Sequence, residues 1–178
     1  IVAGAQLIEA LQTIVARGTD PVASLVVSVT RVIAGTAQNI IPESIELWGT
    51  TRALDMADAA MAERRIREIC AGLSAATGAA IEVDYDQAHP VTFNRPDETA
   101  FCAGVAREIA GDVDEAVQPV MAGEDFSHML TVRPGAFIFI GNGDSAGLHH
   151  PAYDFDDEAI PAGVSYWVRL VETALASR

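Results

Sequence analysis

The chain has 178 residues, half of them hydrophobic, and carries a formal net charge of -14. That length suits one domain or two small ones, with enough apolar side chains for a packed core. The acidic balance excludes nucleic acid and anionic membrane surfaces as electrostatic partners, and no apolar run reaches the roughly 18–20 residues that cross a bilayer.

The start, Ile1-Val-Ala-Gly-Ala-Gln6, has no charged stretch ahead of an apolar core, so it is not read as a signal peptide. It reads as the middle of a helix, as expected of a fragment. Leu7, Leu11, Ile14 and Val15 recur at helical spacing and predict a helix to about Arg17, stopped by Gly18 and turned by Asp20-Pro21. Residues 25–34 are rich in β-branched side chains and predict a strand. Leu25, Val27, Val29 and Ile33 share one face, interrupted by Arg31. Residues 35–42 form a connection, and residues 45–52 a second strand. Its Ile45 and Leu47 point one way, and Trp48, Thr50 and Arg52 the other.

Asp55 or Asp58 can cap the next helix, whose apolar stripe is Ile66, Ile69, Cys70 and Leu73 and whose end is Gly78. Residues 80–85 predict a third strand with Ile81 and Val83 on one face. Helix, strand, strand, helix, strand is a ferredoxin-like split βαβ unit lacking its first strand. Residues 88–96 carry two prolines and read as a linker, after which the pattern becomes α/β. The expected organisation is therefore 1–90 and 91–178. In the second part a helix covers roughly 98–110, with Phe101, Val105 and Ile109 in line. A short strand is expected at 117–120, a short helix at 125–130 and a buried strand at 136–140. A last helix covers 158–176, with Ile160, Val164, Trp167, Val168, Val171 and Leu175 on one face. Cys70 and Cys102 fall inside helical patterns and read as buried thiols of a reducing, cytoplasmic compartment, without a disulfide.

The chemistry-bearing stretch is 141–158, with three glycines, adjacent His149 and His150, and the carboxylates Asp144, Asp154, Asp156, Asp157 and Glu158. A loop leaving a buried strand with His beside carboxylates is a common frame for metal or acid–base sites. In an extended segment only one of two adjacent histidines faces a given site. A catalytic zinc usually has three protein ligands plus a water, and there is no His-Glu-x-x-His or Cys-x-x-Cys pair, so spacing alone gives no complete metal site. His89 reads as an exposed linker residue and His128 as a surface histidine. No serine stands in a nucleophile elbow. Arg52 could present a fixed fork to a carboxylate, or be an ordinary arginine on a solvated sheet face.

Several stretches together resemble a known family. They are Leu11-Gln-Thr-Ile-Val-Ala-Arg17, Ala34-Gly-Thr-Ala-Gln-Asn-Ile-Ile-Pro42, Leu47-Trp-Gly-Thr-Thr-Arg52, Met121-Ala-Gly-Glu-Asp-Phe-Ser127, Pro134-Gly-Ala-Phe-Ile-Phe-Ile-Gly141 and Leu148-His-His-Pro-Ala-Tyr-Asp-Phe-Asp-Asp-Glu158. In this order they resemble the C-terminal part of the dinuclear-metal amidohydrolases that include hippurate hydrolase and indole-acetyl-amino-acid hydrolases. More distant members are carboxypeptidase G-like and aminoacylase-like enzymes. The resemblance implies a ferredoxin-like lid that mediates homodimerisation, over residues 1–90, and part of an α/β catalytic domain over 91–178. It implies two divalent metals, zinc or manganese, with His149 as one ligand. Asn39 and Arg52 match a lid pair that reaches substrate. Met121, Gly123 and Glu124 match a loop lining the substrate pocket.

The implied activity is hydrolysis of the amide bond of N-acyl amino acids in the intact protein. The family's other ligands and its catalytic glutamate lie in an N-terminal part that this chain does not contain. No catalytic residue is therefore assigned here, and the chain alone is expected to be inactive. The alternatives are a non-catalytic dimerisation or binding module derived from such an enzyme, and a metal-free binding protein in which His149 is structural.

Overall fold

Helix α1 (Val2–Gly18) buries Gly4, Leu7, Leu11 and Ile14, one stripe at helical spacing. Asp20 closes the following turn, its carboxylate accepting the Val22 N–H at 3.0 Å and its carbonyl the Ala23 N–H at 2.9 Å. Strand β1 (Leu25–Ala34) then pairs antiparallel with β2 (Ile45–Ala53). The structure, a computed structural model, describes residues 1–176; the described residues form one two-stranded sheet and five helices.

The register carries one irregularity. Val29 pairs with Gly49, but Arg31 rather than Thr30 pairs with Trp48. One extra residue in β1 is a β-bulge, and it exchanges the faces of everything that follows it. Leu25, Val27 and Val29 share the helix-facing side with Val32 and Ala34. By its pairing with Glu46, Ile33, expected on that side from simple alternation, lies on the opposite face beside Arg31; Val32 is on the helix-facing side by register but is 50% exposed, beyond the reach of the core. Arg31 thereby sits over the Trp48 ring, 6.0 Å from its centroid. On β2 the expectation holds: Leu47 packs into the core while Trp48, Thr50 and Arg52 look away.

Helix α2 (Met56–Thr77) starts at Asp55, which accepts the Ala57 N–H, and ends at Gly78 in the left-handed region, φ 73°. Ile66, Ile69, Cys70 and Leu73 meet Leu7, Leu11, Ile14 and Leu25 in one core. Burying a side chain such as Ile14, 1% exposed, contributes about 1.5–3 kcal/mol. Residues 80–85, expected as a strand, join no ladder among the described residues. Side chains hold them instead. Ile81 and Val83 pack on the core, Arg67 donates to the Val83 carbonyl at 3.2 Å, and the Thr51 and Tyr85 hydroxyls lie 2.7 Å apart.

By its contacts the chain divides into two units: Ile1–Val91 with Pro119–Gly123, and Thr92–Gln118 with Glu124–Arg178. In the second, α3 (Pro96–Ala110) has Pro at its first turn and Asp97 and Glu98 beside the positive end of the helix dipole. Helix α4 (Phe126–Val132) is short, and α5 (Ala159–Ala176) packs against α3. Cys102, Ala103 and Val105 of α3 and Tyr166 of α5 are the buried residues of that pair. Phe101 and Ile109, expected in line with Val105, are 40% and 37% exposed.

The α5 face differs more. Ala159, Ala162, Gly163, Tyr166, Leu170 and Thr173 are its less exposed positions. Ile160, Val164, Trp167, Val168, Val171 and Leu175 are each at least half exposed. Tyr166 is the anchor because its ring lies against Cys102, whereas the expected stripe stays at least half exposed, with Trp167 meeting the Tyr166 ring edge to face.

Residues 136–140, expected as a buried strand, likewise join no ladder among the described residues. Their one pairing is with a side chain. Asn94 donates Nδ2–H to the Phe137 carbonyl at 2.7 Å and accepts the Phe137 N–H on Oδ1 at 2.8 Å. A carboxamide here takes the place of a neighbouring peptide group. Phe137 also contacts Phe126 and, edge to face, Phe139. Residues 117–120 form no strand, and Val117 and Val120 are more than half exposed.

Candidate functional site

Arg52 stands on the sheet face away from the helices, opposite Val26. It is exposed, and one terminal N–H donates to the Thr51 carbonyl at 2.8 Å. That bond ties the guanidinium to its own strand and leaves the remaining donors of the fork to solvent. Trp48 shares the face, stacked under Arg31 and donating its indole N–H to Glu46 at 3.3 Å. Asn39 lies in the turn after β1, just before Pro42, and is exposed.

The stretch Met121-Ala-Gly-Glu-Asp-Phe-Ser127 straddles the division between the units. Met121 and Gly123 belong to the first, where a Cβ on Gly123 would come within 2.9 Å of the His89 ring. Glycine is what permits that approach. Glu124 belongs to the second. Its Oε1 accepts the Phe126 N–H at 3.0 Å, and its carbonyl accepts the Ser127 N–H at 3.1 Å and the Ser127 hydroxyl. Asp125, at the N-cap position of α4, makes no side-chain cap bond. Glu124 does that work, and Ser127 beneath it is fully buried. Glu124 therefore orders this loop.

His149 lies in a different backbone from the extended segment expected. The His150 N–H donates to the Gly147 carbonyl at 3.1 Å, and the Tyr153 N–H to the His150 carbonyl at 2.9 Å. Two turns thus follow each other, with Pro151 at the second position of the second, where its fixed φ suits the turn. His149 occupies the third position of the first turn with φ 67°. Glycine or asparagine usually fills such a place, and His149 is the one non-glycine residue with positive φ among the described residues. A side chain there costs about 1–3 kcal/mol and persists only where its surroundings impose it. His150 turns inward on its own loop, its Nδ1 accepting the Ala152 N–H at 3.0 Å. The two imidazoles are not interchangeable: His150 is spent on the turn, and His149 is exposed with no such bond.

The residue that sequence reasoning missed is Asn142. It was legible only as a turn residue between two glycines. Its Nδ2 donates to the Asp154 carbonyl at 2.8 Å and to Ser145 Oγ at 3.2 Å, and its Oδ1 accepts the Asp156 N–H at 2.8 Å. Asp156 in turn accepts the Glu158 N–H at 3.0 Å at the entry to α5. Among the described residues no hydrogen bond or ion pair joins any two of Asn39, Arg52, Met121, Gly123, Glu124 and His149. Nor do three or more His, Cys, Asp or Glu side chains converge as a metal cluster. The donor chemistry fits one ligand, His149, and not a whole metal site.

The model of "Peptidase family M20/M25/M40" matches residues 2–173. The chain is 35% identical over 172 residues to the hippurate hydrolase of Campylobacter jejuni, covering 96% of this chain and 45% of that protein. It is 32% identical over 171 residues to an N-acetyldiaminopimelate deacetylase of a Geobacillus species, covering 96% of this chain and 46% of that protein. Among solved structures it superposes with a TM-score of 0.81 and 28% identity on a Bacillus subtilis protein described as a dinuclear metal binding peptidase of the M20 family. That match covers all of this chain and 46% of the other. The chain thus spans about half the length of the curated relatives it matches.

Proposed function

The chain belongs to peptidase family M20/M25/M40, and from that premise we propose that it forms the lid and the C-terminal catalytic segment of a metal-dependent amidohydrolase acting on N-acyl amino acids. The observation that carries the reading is His149, an unshared imidazole held at φ 67° in a loop where its neighbour His150 is already committed. A strained non-glycine residue with a free ligating atom points to function rather than packing.

In this reading residues 1–90 are the ferredoxin-like lid. The β1–β2 pair, α1, α2 and the inward Ile81 and Val83 support it, since all of them share one core. Residues 91–178 are part of the catalytic domain. Arg52 and Asn39 grip the substrate carboxylate or the developing oxyanion, for which a planar fork of donors is suited. Met121 and Gly123 line the pocket, and Glu124 keeps that loop in shape. Two divalent metals, zinc or manganese, would polarise the scissile carbonyl and acidify a water. This chain contributes His149 toward one of them, and the other donors come from outside it. The lid pairs two copies into a homodimer, and the two buried thiols suit a reducing cytoplasm.

The test is Arg52→Lys in a protein of the relatives' length, assayed on hippurate. Lysine keeps the charge and loses the fork, so kcat/KM falls about tenfold or more; an unchanged kcat/KM removes Arg52 from substrate binding. The second reading, a non-catalytic dimerising module, is favoured for the 178 residues by themselves, because no metal cluster converges among those described. Elemental analysis after dialysis against zinc or manganese separates the two: about two metals per chain would overturn the assignment of the missing donors to other residues.

A further inference from the structure

His149 needs a reason to stay in a backbone conformation that its own side chain disfavours. The two turns around it fix the local path, but turns in an exposed loop open easily. Residues 143–153 run between two arms of the chain, and among the described residues the hydrogen bonds that join those arms are made by one side chain. Asn142 stands where the chain leaves the apolar 136–140 segment. Its carboxamide bonds the backbone of Asp154 and Asp156 on the returning arm, twelve and fourteen residues on. Both ends of the amide dipole are used, so the side chain has a single favourable orientation.

The clamp is braced on both sides. Behind Asn142, Asn94 pins Phe137 through two hydrogen bonds. Ahead of it, Asp156 caps the start of α5 through the Glu158 N–H. Gly143 follows at φ 67°, and a Cβ there would meet the Asp156 carboxylate at 3.4 Å. The close approach of the two arms at this point therefore suits a glycine beside the clamp.

We infer that Asn142 is a positioning residue for His149: by locking residues 154 and 156 to the exit of the 136–140 segment, it fixes the span over which the His149 turn must close. The inference rests on the reading of His149 as a metal ligand and adds to it the element that aims the imidazole. His150 braces the turn that follows, its Nδ1 accepting the Ala152 N–H, and does not join the arms.

The test compares Asn142→Leu, which keeps the branching and removes every hydrogen bond, with Asn142→Ala, using the 15N-labelled chain. Protection of the α3 and α5 amides shows which variant is folded. Two signals are read: hydrogen exchange at the Asp156 amide, and the intraresidue amide-to-Hα Overhauser effect of His149, which is strong only at positive φ. Either folded variant should speed exchange at Asp156 about tenfold or more and weaken the His149 signal. An unchanged His149 signal in both overturns the inference. In a protein of the relatives' length, manganese affinity is then measured for Asn142→Leu against His149→Ala. Positioning predicts about tenfold weaker binding in the former and a larger loss in the latter. If His149→Ala binds metal normally, the ligand reading fails, whatever Asn142 does to the loop. If His149→Ala loses metal and Asn142→Leu does not, the positioning role alone fails.

Discussion

Two glycines of the first unit should respond to the same substitution with opposite signs. Gly49 stands opposite Val29 at the bulge of β1, and a Cβ built on it lies 2.5 Å from the Ser28 carbonyl oxygen. The atom in the way is backbone, held in the β1–β2 ladder, so it cannot rotate aside. Gly72 lies inside α2 with nothing within 4 Å of its Cβ direction. Alanine at either site gains about 0.5–1 kcal/mol by restricting the unfolded chain. At Gly72 nothing opposes that gain, so Gly72→Ala should stabilise by about 0.5–1 kcal/mol. At Gly49 the strands must part, and overpacking costs of this kind run to about 1–3 kcal/mol. The clash wins, and Gly49→Ala should destabilise by about 1–2 kcal/mol. Urea unfolding followed by circular dichroism gives the totals, and hydrogen exchange of β1 amides confines the effect to this unit. If Gly49→Ala proves as stable as Gly72→Ala, the bulged register and the contact with Ser28 are wrong.

Other outcomes can be checked alongside. Asp55→Ala removes the acceptor for Ala57 N–H and should cost about 1 kcal/mol, while Asp58→Ala should cost less, since Asp58 makes no such bond; equal losses in urea midpoints would contradict the cap. Burial holds the Cys70 thiol above its ordinary value of 9.0, with Arg67 opposing. The folded state then keeps its proton where the unfolded chain has lost it, so this contribution is complete below about pH 9 and declines as pH rises further. Cys70→Ala should flatten the stability profile above pH 9, and an unchanged slope would sink the assignment. Glu124→Gln keeps an oxygen for the Phe126 N–H and should lose little stability, whereas Glu124→Ala should lose about 1 kcal/mol; thermal melts of the two variants decide. The Arg169–Glu108 pair, with both side chains about half exposed, is screened by solvent and should show little coupling in a double-mutant cycle; a strong coupling would contradict that exposure.

The first unit was largely legible because its signals are local. Gly78 and Asp55 end and begin α2 by their own backbone chemistry, and Leu7, Leu11 and Ile14 declare their face by spacing. Arg31 among valines announced an irregularity, yet alternation alone could not say that the bulge carries Ile33 to the other side. Strands at 80–85 and 136–140 were misjudged for a physical reason. An extended apolar run is a local property, but a ladder requires a neighbour, and here Thr51, Arg67 and Asn94 provide side-chain substitutes. On α5 the stripe of β-branched residues and Trp167 outweighed Tyr166 in the sequence, whereas packing chose the ring that fits over Cys102. His149 was legible as a candidate from its Leu-His-His-Pro context. Its positive φ was not, because nothing in the composition marks a histidine that sits in a glycine's place. Asn142 was hidden by the same limit, since its partners lie twelve and fourteen residues ahead.

The outward stripe of α5 has a calorimetric consequence. Ile160, Val164, Trp167, Val168, Val171 and Leu175 are each at least half exposed in the folded chain, so much of their hydration already exists before unfolding. Heat capacity and denaturant sensitivity track the apolar surface newly wetted. The melting of α3 and α5 should therefore be broad, with a small heat-capacity step and a shallow urea slope. The unit built on Leu7, Leu11 and Ile14 should unfold steeply. Any molecule that covers the α5 stripe should show itself first as a sharpening of that transition, before it raises the midpoint.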